Sequence, residues 1–287
     1  MFHVTNEAGA LEAIELRDDE AGSRVTLAPA RGGMVTRMFA RGRDVLYLDE
    51  GTLRDPGKSV RGGNPVLFPS PGKLERDAWS QGGRSGALKQ HGLARLLPWE
   101  VTGTSVDAGA SVSLSLRATP ETLAAYPWDF HAVYTYTLRA STLRIDLRFT
   151  NGSESPMPFG AGFHPYFQLA CADKAAAAIG TRATRAYDNV AREQRPLTTI
   201  ALADGEVDLH LEDHGTDPCT LRWPGGAIAL RGSPEMSRWV VWTLPDKDFV
   251  CVEPWTCAGD ALNTGRGLLW IAPGETRALW VEYDVLR

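Results

Sequence analysis

The sequence predicts an all-β protein organised as a large antiparallel β-sandwich, and three observations carry that expectation. Period-two alternation of apolar and polar residues recurs in many separate segments. Helical periodicity is scarce. The 29 glycines and 18 prolines fall in short turn-like clusters such as "RGGNPVLFPSPG" and "RWPGG" instead of forming a linker. With 287 residues, 43% of them hydrophobic and 23% charged, the chain has an ordinary globular composition and can bury a large core. No boundary interrupts it, so residues 1–287 are expected to form one domain.

The segments support this in turn. In "TLRIDLRFTNGS", Leu143, Ile145, Leu147 and Phe149 face one way while Arg144, Asp146 and Arg148 face the other, which defines a half-buried strand closed by a turn. "SVSLSLRAT", "HAVYTYTLRA", "RWVVWTL", "DFVCVEP" and "RALWVEYDV" repeat the pattern. "PETLAAY" is compatible with one or two helical turns. "ADKAAAAIG" has the helix propensity of its alanines, which sheet context can override.

Several function classes are disfavoured. A net charge of -5 provides no basic surface for nucleic acid. The N-terminal residues are acidic where a signal peptide is basic and apolar, and no run approaches the ~18 apolar residues of a membrane span, so a cytoplasmic protein without a membrane partner is expected. Cys171, Cys219, Cys251 and Cys257 contain no C-x-x-C pair and are expected to be free thiols instead of zinc ligands. "HLEDH" places His210 and His214 four apart, but Leu211 stands where a zinc-protease helix needs its glutamate. Among so many acidic neighbours, these histidines read as a solvated surface. Walker, dinucleotide and G-x-S-x-G signatures are absent.

What remains is a set of polar residues in apolar or aromatic settings. "FGAGFHPYF" (159–167) contains no charged residue, yet it holds His164, whose ring gains nothing from burial unless it is partnered or moves a proton. In "DFVCVEPWT", alternation puts Phe249, Cys251 and Glu253 on one face, and Pro254 follows, ending ladder pairing. Glu253 is then either an edge carboxylate paired with arginine or a partly desolvated group shifted toward general-base use. His91 in "KQHGLAR" and Arg61 in "VRGGNPV" sit beside glycines, in loops that can aim a side chain inward. Asp188 in "RAYDNV" is placed either to accept sugar hydroxyls or to close an Asx turn.

Taken in order along the chain, "ARGGMVTRMFARGRDVLYL", "RGGNPVLFPSPG", "HGLAR", "GFHPYF", "YDNV", "FVCVEPWT" and "APGETRALWVEY" resemble the aldose 1-epimerase (galactose mutarotase-like) family over nearly the whole chain. The resemblance implies a β-sandwich with a sugar groove on one sheet, His164 as general acid at the ring oxygen and Glu253 as base on the anomeric hydroxyl. It also implies substrate-binding roles for Arg61, His91 and Asp188, a small-molecule sugar as partner, and no metal or other cofactor. "RGGNPV", "HGLAR" and "YDNV" are similar to the hexose-6-phosphate 1-epimerase branch, where Arg61 and Arg95 would contact phosphate. Asn64 and "VVWTLPD" depart from that branch. A non-catalytic carbohydrate-binding protein would keep the groove without needing the acid–base pair, and a glycosidase would need two carboxylates.

Overall fold

The computed structural model describes residues 1–7, 9 and 11–286. Antiparallel sheets dominate, as alternation predicts. One eight-stranded sheet runs in the order Ala178–Gly180, Cys219–Trp223, Gly226–Gly232, Thr276–Leu286, Thr142–Asn151, Phe130–Arg139, Ala110–Arg117 and Glu100–Ser105. A second contains Glu193–Pro196, Arg185–Asp188, Val207–Leu211, Arg238–Thr243, Phe249–Trp255, Gly162–Phe163 and Val66–Leu67, with Tyr166–Gln168 also pairing onto Phe249–Trp255. An N-terminal five-stranded meander spans residues 2–44.

The inward-facing residues of all three sheets merge into one apolar cluster. It runs from Ile14, Leu16 and Val25 through Leu143, Ile145, Leu147 and Phe149 to Val250, Val252 and Val285. Phe68 lies at its aromatic centre, stacked on Phe149 at 5.1 Å and edge-on to Phe130. Burying side chains of this size contributes about 1.5–3 kcal/mol each before conformational entropy is counted.

Helices are short. Pro120–Ala125 is a helix closed by a capping box between Thr119 and Thr122, consistent with the reading of "PETLAAY". "ADKAAAAIG" is divided: Cys171–Ala176 is 3-10 helical and Ala178–Gly180 is a strand pairing with Cys219–Trp223. Sheet pairing has overridden alanine propensity there. All four cysteines are free. No helix among the described residues is long and apolar enough to cross a membrane.

Candidate active site

The second eight-stranded sheet turns one face into a cleft of about 660 Å³. Its floor follows from strand register. Tyr187, His210, Val240 and Glu253 are paired in sequence across four neighbouring strands, and all line the cleft. The row on one side aligns Asp208, Trp242 and Cys251. On the other side, Arg238 pairs with Trp255 and donates to Glu212 Oε1 at 2.6 Å.

Loops bring the remaining groups over this floor. Gly162 pairs with Trp255, and a Cβ there would lie 2.7 Å from the Pro254 carbonyl oxygen. Only glycine lets the His164 segment approach the Glu253 strand so closely. His164 follows two residues later, its N–H donating to Pro65 O at 3.0 Å. Arg61 reaches the cleft because Gly62, at φ 122°, packs against Tyr47 and Leu48, where a Cβ would meet the Tyr47 carbonyl at 2.5 Å. His91 has a left-handed backbone, φ 71°, the kind of strained conformation that loops at functional sites retain.

His164 and Glu253 converge. Nε2 of His164 is 3.4 Å from Oε1 of Glu253, and both side chains are almost entirely buried. The Trp255 indole N–H donates to Oε2 of Glu253 at 3.0 Å, which leaves Oε1 as the oxygen facing the histidine. The His164 ring stacks on Tyr166 (4.7 Å, 12°) and is met edge-on by Trp242 and His91. Its Nδ1 is buried without a hydrogen-bond partner.

The electrostatics follow from burial. Desolvation raises Glu253 well above the ordinary carboxylate range, with the Asp208 charge adding to the rise and the Trp255 hydrogen bond opposing it. Desolvation also lowers His164 well below the ordinary imidazole value, helped by His91, Arg95 and Arg61. The two shifts favour a pair that carries one proton in total and no net charge. His91 is lowered to about 4 by burial and by Arg95. Its Nδ1 is 2.5 Å from the Pro71 carbonyl, which can only accept, so Nδ1 carries the proton and Nε2 is an acceptor.

Of the expected site residues, the fold thus brings His164, Glu253, His91 and Arg61 into one cleft, together with Arg95. Asp188 is not among the lining residues. Alternation turns its neighbours Tyr187 and Asn189 to the cleft, whereas its carboxylate accepts from the N–H groups of Val190 and Ala191 and lies 3.1 Å from Arg195 Nε. Of the two sequence readings, the structure shows the Asx turn. Asp208 faces the cleft instead, its carboxylate accepting from Asn189 at 2.7 Å and lying 3.5 Å from His210 Nε2. The expectation that His210 and His214 occupy a solvated surface is corrected. Both are buried, because the segment is a strand, Val207–Leu211, with His210 on the cleft face, followed by a loop that packs His214 on Trp239. Asn64 turns away into the core, where it donates to the Tyr283 hydroxyl.

The antiparallel sheets form a galactose mutarotase-like β-sandwich whose cleft holds a buried histidine–carboxylate pair. The chain belongs to the aldose 1-epimerase family, whose sequence model matches residues 14–284. The solved structure of the Slr1438 protein from Synechocystis sp. PCC 6803 is 35% identical and superimposes with a TM-score of 0.93, covering 98% of this chain and 99% of that one. A galactose mutarotase-like protein from Clostridium acetobutylicum shares the fold at 16% identity (TM-score 0.86; 99% and 98% covered). A curated relative from Cenchrus ciliaris, provisionally named a glucose-6-phosphate 1-epimerase, is 30% identical over 146 residues, 47% of this chain and 41% of that protein. This chain therefore matches only about two-fifths of that relative's length.

Proposed function

We propose that the protein interconverts the α and β anomers of a hexose by acid–base ring opening. The observation that carries this reading is the 3.4 Å approach of His164 Nε2 to Glu253 Oε1 inside the cleft. The ring oxygen and the anomeric oxygen of a pyranose share one carbon, so two adjacent groups can address both. Protonated His164 would donate to the ring oxygen while ionised Glu253 removes the O1 proton. The ring C–O bond breaks as the carbonyl forms, rotation about C1–C2 presents the other carbonyl face, and closure returns both protons.

Ring opening converts an ion pair into a neutral pair, with Glu253 protonated and His164 not. Burial favours that neutral pair, so the site stabilises the protonation state that accompanies the open-chain sugar. Unperturbed Glu and His would hold one shared proton only between about pH 4.3 and 6.5. The cleft penalises both net-charged states of the pair, which widens the one-proton window on each side. Around the reacting carbon, His91 Nε2 and Asp208 are acceptors for sugar hydroxyls, Arg61 is a donor, and Trp242, Trp255 and Tyr166 supply aromatic surface.

A specific observation favours a second reading, a hexose 6-phosphate as substrate. Arg238 and Arg266 in the cleft are both engaged by Glu212. Arg61, Lys73 and Arg95 line the same cleft, and among the described residues none of them forms an ion pair with a carboxylate. Three unneutralised cations suit a dianionic group.

Saturation-transfer NMR of anomer exchange, run on glucose, galactose and their 6-phosphates, tests both readings. Acceleration of the neutral hexoses supports the first, and preference for the phosphates establishes the second. Sugar bound with no faster exchange would make the protein a carbohydrate-binding module and overturn the enzymatic assignment.

A further inference from the structure

Cys251 lies two residues before Glu253 on the same face of its strand, completely buried in a cluster with Tyr166 and Phe249. Its Sγ, the Glu253 carboxylate and a ring nitrogen of His164 lie within 4.8 Å of one another. This is the one grouping of three such donors among the described residues. It overlaps the pair assigned to proton transfer, but Cys251 does not line the cleft and has no part in that chemistry.

We propose that this trio is an inhibitory site for a thiophilic divalent cation of the zinc or cadmium class, which enters by the sugar cleft and locks the acid–base pair. The inhibitory arm of the proposal rests on the epimerase reading; the binding arm does not. Zinc takes thiolate sulfur at about 2.3 Å and imidazole nitrogen or carboxylate oxygen at about 2.0–2.2 Å, so its donors sit within roughly 4 Å of each other. Closing the trio around an ion therefore needs a shift of about 1 Å, which rotation of the Glu253 side chain can supply. Three protein donors with the fourth position open to the cleft is the arrangement of an accessible zinc site, and soft sulfur with imidazole disfavours magnesium and calcium.

Charge balance supports it. One thiolate, one carboxylate and one neutral imidazole around a divalent ion sum to zero, which a buried pocket accommodates better than separated charges. Binding breaks the Cys251 S–H bond, forms a metal–sulfur bond and displaces the proton shared by His164 and Glu253, so two protons leave to solvent for each ion bound. With its lone pairs committed to metal, the pair can neither donate to nor accept from a sugar. Nδ1 of His164 is buried without a partner, so the ring lacks the outer-shell acceptor that holds the histidines of resident zinc sites, and the ion is expected to bind reversibly.

The test titrates cadmium into the purified protein in a Cys171→Ser background, since Cys171 is the one cysteine with solvent exposure. The expected result is a cadmium–thiolate charge-transfer band saturating at one ion per chain and lost in Cys251→Ser. Zinc should slow anomer exchange reversibly, with chelator restoring it. Cys251→Ser should keep the metal-free rate while losing zinc sensitivity by roughly tenfold or more, since even the loss of an outer-shell partner costs about that much affinity. No band, or a band that persists in Cys251→Ser, overturns the site. A band that vanishes in Cys251→Ser, with undiminished exchange in the metal-loaded protein, overturns the inhibition. If the wild-type protein shows no exchange at all, the epimerase reading fails while the band still decides whether the ion binds.

Discussion

Two central strands, Thr142–Asn151 and Phe249–Trp255, share the same alternation and meet different fates. In the first, Leu143, Ile145, Leu147 and Phe149 are buried while the opposite face meets solvent, where Arg144 is paired with Asp146 and Glu282. In the second, every residue is buried. Its core face carries Val250 and Val252, and its other face carries Cys251, Glu253 and Trp255, enclosed by the segments that bear Arg61, His91 and His164. A charge on the open face costs little and contributes little. The same charge on the enclosed face opposes stability, and the proposed proton transfer would account for its presence.

Mutations can break that contrast. Glu253→Gln and His164→Asn should each slow anomer exchange by ~10²–10⁴-fold while urea unfolding shows stability unchanged or increased. Loss of stability with near-native turnover would make the pair structural. Leu147→Ala, on the open-faced strand, should do the reverse: a cost of about 2–5 kcal/mol in unfolding, with kcat unchanged at temperatures where the variant is folded. His91 sharpens the comparison through pH. Its folded pKa, about 4, lies below the unfolded value, so its contribution is complete above about pH 6.5 and is lost as pH falls through 4, on the order of 3 kcal/mol. His91→Gln should flatten that acid limb in unfolding measurements; an unchanged slope would show that another group causes it.

Trp255→Phe removes the hydrogen bond that holds Glu253 down, so the carboxyl should rise further. The reactive ion pair is then rarer, kcat falls about tenfold per pKa unit, and the alkaline limb of the rate profile moves up. In the wild type that limb should already lie above pH 6.5, the limit for an unperturbed pair; a limb at or below it would contradict the buried one-proton state. The smallest effect is expected at Asp188. Asp188→Asn should leave exchange within about twofold and cost roughly 0.5–1 kcal/mol of stability, whereas a large rise in KM would return it to the sugar site.

Strand content, the short helix at Pro120–Ala125 and the inward placement of His164 and Glu253 were legible in the sequence, because alternation and a lone ionisable residue in apolar company are local signals. Asp208 and His210 were not. Their cleft-facing position depends on pairing with Trp242 and Val240, 34 and 30 residues away, and the surrounding acidic residues resemble an ordinary wet surface. Asp188 misled for the complementary reason: one residue of register decides which of Tyr187 and Asp188 faces the cleft. Only for the Asn189–Asp208 bond was there a faint hint, since Tyr187, Asn189, Asp208 and His210 share the period of two.

The strand Thr276–Leu286 lies between Thr142–Asn151 and Gly226–Gly232 and is hydrogen-bonded to both along most of its length. Until a ribosome has released those residues, two growing halves of the larger sheet present unsatisfied edges to one another and to other unfolded chains. Synthesis of this protein thus has a vulnerable interval set by chain order, during which a holdase chaperone would have its greatest effect on yield.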